Sequence, residues 1–265
     1  TDATRVIQRA ELLREIGVDC VNIPDGARAT ARMSPMALAL LFRKANTPEP
    51  LLHYCCRDRN LLGIQSDLLG MHALGLNNVL CITGDPPKLG DYPNATGVFD
   101  VDAIGLVQIV SRLNHGRDLA NEQMMRGKDD PAPPTSFFIG VGADPTKLDM
   151  DLELSRLKRK IDAGAQFIMT QPVFDPLQFE KFLAAAKPKI PVLVGIQPLA
   201  SYRNAEYLNN EVPGITVPPN VLESMRALRI SSSTASAWPR NGTLKQTCCD
   251  GARTPGPRAE RTATA

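Results

Sequence analysis

Thr83-Gly84-Asp85-Pro86-Pro87 closes the apolar run Val79-Leu80-Cys81-Ile82, and its residue types suit a ligand-facing turn. A glycine lets the main chain approach a ligand closely, an aspartate sets a carboxylate at the rim, and two prolines stiffen the exit. The same five residues also make an ordinary βα turn, because Asp and Gly are common turn formers. Further candidates end other apolar runs: Asn22 with Asp25-Gly26, His53 through Arg57-Asp58, Gly140-Val141-Gly142-Ala143-Asp144, Thr170-Gln171 and Gly195-Ile196-Gln197-Pro198. In parallel α/β folds the active site forms where strands pass into βα loops, so these groups would share one mouth.

His53 lies inside an apolar run, where a histidine serves either as a hydrogen-bonded core residue or as a ligand contact at the rim of a barrel interior. Arg156, Arg159 and Lys160 fall on one amphipathic stretch, with 156 and 160 on a common helix face. Such a face is either simply solvated or a clamp for a pyrophosphate, if it edges the mouth. His72 and His115 read as surface or packing residues, and no second histidine or cysteine stands at metal-ligand spacing, so no metal site is expected. The chain has no G-x-G-x-x-G, no G-x-x-x-x-G-K-[ST] and no G-x-S-x-G, which removes Rossmann, Walker and serine-hydrolase readings. Six cysteines occur without a Cys-x-x-Cys pair. Cys20, Cys55 and Cys81 sit in apolar runs, and reduced, buried thiols are expected.

These residues need a frame of alternating strands and helices. Helical stretches stop at Gly17, Gly75 and Gly164, each followed within a few residues by an apolar run, as a left-handed glycine cap predicts. Helices are expected over 4–16, 34–46, 60–74, 101–114, 149–163, 175–186 and 201–209, and strands over 18–23, 50–55, 78–83, 136–141, 166–171 and 191–197. The near-continuous apolar strands suit a parallel sheet covered on both faces, either a closed barrel or a doubly wound sheet. The polar, proline-rich segment 115–134 reads as a surface insertion.

Thirty basic against 28 acidic residues give a formal charge of +2, which offers no field for nucleic acid or an anionic membrane. No apolar run approaches the length of a membrane span and no signal peptide opens the chain, so a cytoplasmic protein acting on a small molecule is expected. From Arg229 the composition turns to Ser, Thr, Arg, Gly and Pro, and disorder is expected over 229–265.

Four motifs in order, His53-Tyr54-Cys55-Cys56-Arg57-Asp58-Arg59-Asn60, Asn78-Val79-Leu80-Cys81-Ile82-Thr83-Gly84-Asp85-Pro86-Pro87, Leu157-Lys158-Arg159-Lys160-Ile161-Asp162-Ala163-Gly164-Ala165 and Thr170-Gln171-Pro172-Val173-Phe174-Asp175, resemble the methylenetetrahydrofolate reductase family. The resemblance covers about residues 4–228. It is similar in particular to the form fused behind a homocysteine methyltransferase domain, which leaves open whether such a domain precedes Thr1, and it is compatible with a homo-oligomer. It implies a (βα)8 barrel, here with about six of eight strands over 1–228, that binds FAD at the strand C-termini. NADH or NADPH would be the reductant, and hydride would pass to 5,10-methylenetetrahydrofolate to give 5-methyltetrahydrofolate.

By the same resemblance Asp85 stands beside both the flavin and the folate, as the catalytic residue. Thr83, Gly84 and His53 contact the flavin, and Arg156, Arg159 and Lys160 hold its phosphate and ribose. Gln171 contacts folate or nicotinamide, and Asn204 and Leu208 fall where other members meet the nicotinamide. The family's first strand, with its glutamate proton donor, has no counterpart after Thr1, and its pattern stops at Leu228, which suggests a shifted reading frame near Arg229. The competing readings are a catalytically incompetent remnant that still binds folate or flavin, and a flavin-free pterin-binding barrel methyltransferase.

Overall fold

The computed structural model describes residues 2–212 and 215–231, with side chains to residue 227. Its elements run α1 (Thr4–Glu15), β1 (Cys20–Ile23), α2 (Pro35–Arg43), β2 (Glu49–Cys55), α3 (Leu61–Ala73), β3 (Asn78–Ile82), α4 (Ala103–Leu113), β4 (Met125–Gly127), β5 (Asp130–Pro131), β6 (Phe138–Ala143), α5 (Met150–Asp162), β7 (Phe167–Pro172), α6 (Pro176–Ala186), β8 (Val192–Gly195), α7 (Tyr202–Glu211) and α8 (Pro219–Ser231). Six strands form one parallel sheet in the order β1-β2-β3-β6-β7-β8. Neighbouring strands are joined by helical crossovers, and the sheet curls into an incomplete barrel, as expected.

Local sequence explains where the helices start and stop. Ser34, Asn60, Asp102, Asp149, Asp175 and Ser201 each accept a first-turn amide with their side chain, which satisfies donors the helix itself leaves open. Gly17, Gly75 and Gly164 have φ of 88°, 70° and 119°. Each closes a paired bond pattern, for example Leu76 N–H to Met71 O at 2.8 Å and Gly75 N–H to His72 O at 2.9 Å, the glycine-terminated helix end that the sequence predicts.

Alternation divides each strand between two environments. Leu52, Tyr54, Val79, Cys81, Ile139, Val141 and Ile168 point outward into the main core beneath the helices. Leu51, Leu80 and Phe167 point inward with Ile82 and Met169. Across that inner face His53 pairs in register with Leu80, Leu80 with Gly140, and Gly140 with Phe167. Gly140 is obligatory there, since a Cβ would lie 2.1 Å from the Phe167 ring, which stacks on Phe138 at 4.9 Å. Gly142 differs, for a Cβ there would meet no atom within 4 Å, so the inner face is open one layer nearer the mouth.

The structure departs from the expectations in four places. The insertion carries a small exposed hairpin, β4 with β5. Helix α8 was not among the expected helices, although Val221, Leu222, Met225 and Leu228 recur at helical spacing, and it packs on α7. Its last turn passes the expected end of order at Leu228, while 232–265 lie outside the described residues, as do Cys248 and Cys249. Cys20 is exposed rather than buried, because β1 is the sheet edge and has one neighbour only. Cys55, Cys56 and Cys81 are buried and free, and burial pushes the Cys55 and Cys56 thiols up to about 11 and about 12.

Candidate active site

The loops after β1, β2 and β3 are knotted together at the strand C-termini. Gly84 has φ 93°, and a Cβ on it would lie 3.0 Å from Cys55 Cβ and 3.2 Å from Arg57 Cβ, so both conformation and space demand glycine. Asp85 follows, exposed, and its Oδ2 accepts the Arg28 main-chain N–H at 2.7 Å. Its other oxygen takes no protein donor among the described residues. Arg28 and Ala29 are both left-handed, at φ 57° and 53°, which turns the Arg28 amide toward β3. A second carboxylate bond, Ala31 N–H to Asp91 Oδ2 at 2.8 Å, and the close approach of Gly90 to Ala29 complete the seam.

Below this seam Asp25, 7 % exposed, accepts the Cys55 N–H at 3.1 Å and Arg59 Nη1 at 2.7 Å. Arg59 also donates to Asp67 at 2.9 Å and lies 4.5 Å from the Tyr54 ring centre. This charge network fixes the β1 loop to the end of β2.

His53 is half-buried on the inner face, with Nε2 3.4 Å from Asn22 Oδ1. Burial lowers its pKa below the ordinary value and the Asp25 charge only partly opposes this, so the ring is held neutral at pH 7. Gln171, at the end of β7, is exposed and makes no side-chain hydrogen bond among the described residues.

The basic stretch of α5 separates into three situations. Lys160 is buried, 8 % exposed, and its Nζ donates to Gly142 O at 2.7 Å. Burial lowers its pKa, with the Glu153 charge acting the other way. Arg156 is half-exposed and paired with Asp102 at 3.1 Å. Burial alone would raise the Asp102 carboxyl, but the Gly105 and Ile104 amides with Arg156 outweigh it and hold the pKa below its ordinary value. Arg159 is exposed with no ion pair among the described residues.

Thr83 is likewise occupied, since its Oγ1 accepts the Ala103 N–H at 3.0 Å and stitches the turn to the start of α4. Asn204 Oδ1 accepts the Ala200 N–H at 3.3 Å ahead of α7. Leu208 is buried at 6 % exposure and presents almost no side-chain surface at the mouth. The structure therefore places Gly84 and Asp85 in the loop seam at the strand ends and His53 on the inner face below it, while Lys160, Thr83 and Leu208 are committed to the scaffold. Arg57, named in the sequence only as one of the strand-end candidates and given no role there, bonds the main chain on both sides of the seam, at Gly26 O and Asp85 O. Burial of an arginine beside a strand end leaves no periodic signal, although its place in the His53–Asn60 motif points to it.

Six parallel strands with polar loops gathered at their C-terminal ends define an α/β-barrel protein. The model for methylenetetrahydrofolate reductase matches residues 1–237, and the chain belongs to that family. Methylenetetrahydrofolate reductase 2 of Saccharomyces cerevisiae is 27 % identical over 178 residues, 62 % of this chain and 26 % of that protein. Methylenetetrahydrofolate reductase 2 of Schizosaccharomyces pombe is 27 % identical over 220 residues, 77 % and 31 % respectively. Methylenetetrahydrofolate reductase (NADH) 1 of Arabidopsis thaliana is 26 % identical over 219 residues, 78 % and 35 %. The chain thus spans between 26 % and 35 % of the length of these three relatives. A Clostridium thermocellum protein described as binding two copies of 5-methyl-5,6,7,8-tetrahydrofolic acid shares the fold, with TM-score 0.56 and 14 % identity over 88 % of this chain and 75 % of that one. Among the described residues no helix is long and apolar enough to cross a membrane, and no cluster of three or more His, Cys, Asp or Glu could hold a metal ion.

Proposed function

We propose that this chain carries the flavin- and folate-binding face of a reductase that converts 5,10-methylenetetrahydrofolate to 5-methyltetrahydrofolate with NADH or NADPH. The observation that carries the reading is the Asp85 carboxylate, held at the rim by the Arg28 amide, in a chain of this family. The methyltetrahydrofolate described in the Clostridium thermocellum protein supports a small folate as the ligand.

The residues present fit a flavin. A Cβ on Gly142 would meet no atom within 4 Å, which leaves that point of the inner face open to a ring. The neutral half-buried His53 lies on the same inner face two strands away, and the uncommitted Arg159 suits a phosphate. Arg156 adds charge while shared with Asp102, and Lys160 acts from beneath by fixing the Gly142 carbonyl. FAD, when bound, supplies the hydride-transfer chemistry. Asp85 has one oxygen anchored and one free, so it can stabilise positive charge developing on the folate without reorienting. The Gln171 amide both donates and accepts, as a pterin edge requires, and Asn204 borders the position proposed for nicotinamide. Leu208 would contribute only by packing α7.

The test is a flavin titration of the purified chain, followed by NAD(P)H oxidation with a quinone and then with methylenetetrahydrofolate. A yellow protein active with both acceptors supports the reading. A protein that stays colourless and indifferent to added FAD refutes it.

A further inference from the structure

We infer that Arg57 is a positioning residue that sets the direction of the Asp85 carboxylate by tying the turn after β3 to the loop after β1. The inference rests on the proposed function only for its catalytic consequence.

Arg57 is 5 % exposed, and four of the five N–H donors of its guanidinium are engaged. Nε and Nη2 form a two-point pair with Asp58, both at 2.8 Å, and this pairing raises the arginine pKa and lowers that of Asp58. The remaining edge, Nη1, donates to Gly26 O at 3.1 Å and to Asp85 O at 3.4 Å. One planar group therefore joins the main chain of two loops that are distant in sequence, with its orientation fixed by a third. Space agrees with this role. A Cβ on Gly26 would lie 2.7 Å from Arg57 Nη2, and one on Gly84 would lie 3.2 Å from Arg57 Cβ, so both glycines admit the arginine.

The consequence falls on Arg28. Its left-handed backbone is unfavourable for a residue with a side chain and persists only where surroundings over-determine it. Gly26 is held by Arg57 two residues upstream, and the Arg28 amide then meets Asp85. Arg57 also lines a cavity of about 240 Å³ with Asp25, Arg32 and Tyr92, but four of its five donors are already spent on protein acceptors, which favours a holding role over ligand binding. Lysine, a single point charge, cannot reproduce the fork.

The experiment is amide hydrogen exchange on the ligand-free protein, comparing wild type, Arg57→Lys and Asp58→Asn. We expect the Arg28 amide to exchange about tenfold faster in Arg57→Lys and by a smaller factor in Asp58→Asn. The Ala103 amide, bonded to Thr83 on the other side of the same turn, should stay within about twofold of wild type. Asp58 is half-exposed, so its variant decides the matter if Arg57→Lys does not fold. Unchanged protection at Arg28 overturns the inference, and so does equal loosening at Arg28 and Ala103, which is what a general packing role predicts. With flavin bound, folate-dependent turnover should fall about tenfold or more in Arg57→Lys while NAD(P)H-quinone turnover stays within about threefold. If wild type performs neither reaction, the proposed function fails while the exchange result still judges Arg57.

Discussion

The carboxylate of Asp85 accepts the main-chain N–H of Arg28 at 2.7 Å, joining the first and third strand ends over the top of the second. One oxygen is thereby fixed while the other, on an exposed side chain, has no protein donor among the described residues, which is the arrangement a pre-organised electrostatic group needs.

For Asp85→Asn, the side-chain oxygen can still accept from Arg28 while the charge is gone. Folate-dependent turnover should fall about 100-fold, with flavin reduction by NAD(P)H much less affected. Stopped-flow measurement of the two half-reactions checks this, and equal losses in both would contradict the role of the charge.

Gly84→Ala places a Cβ against Cys55 and Arg57 at a φ of 93°. A destabilisation of about 1–3 kcal/mol is expected, measured by urea unfolding, together with weaker flavin binding because Asp85 shifts with the turn. A variant as stable as wild type would show that the turn relaxes freely.

Arg159 and Lys160 should separate binding from stability. Arg159→Gln is expected to weaken FAD binding with the melting temperature unchanged, since the side chain is exposed and unpaired among the described residues. Lys160→Met leaves the Gly142 carbonyl without its donor and should cost about 1–3 kcal/mol in a denaturant titration without FAD. Loss of stability from Arg159→Gln instead would assign it to the scaffold.

Stability should decline on acidification through His53. Its folded pKa lies below the ordinary 6.5, so the unfolded chain binds the proton more readily. The contribution is fully present above 6.5 and is lost as pH falls from there toward the folded pKa. Asp58 and Asp102, also lowered from 3.8, are lost only at more acid pH. Melting curves from pH 7.5 to 5.5 should therefore flatten in His53→Gln, and an unchanged slope would move the effect elsewhere.

The frame was legible because its signals are local. Gly17, Gly75 and Gly164 mark helix ends, and runs such as Val79-Leu80-Cys81-Ile82 mark buried strands, so the six strands were placed to within a few residues. Helix α8 was missed although Val221, Leu222, Met225 and Leu228 stand at helical spacing, because the change of composition at Arg229 cuts across its last turn. At the mouth, Asp85 and His53 could be read from type and position. Whether a cation is free could not, because Arg159 and Lys160 are adjacent in sequence yet one is exposed and the other is buried against Gly142 O. The role of Arg57 was obscured for the same reason, since two of its acceptors, Gly26 O and Asp85 O, are main-chain carbonyls far away along the chain.

Because the donor to Asp85 is a peptide N–H, the bond does not depend on what side chain residue 28 carries. Drift at that position could recolour the mouth with a different charge or size while the anchored oxygen stays where it is. The left-handed backbone there would tolerate glycine or asparagine most easily. Proline alone, having no N–H and a fixed negative φ, removes the bond outright, so Arg28→Pro is the substitution to which this loop is least robust.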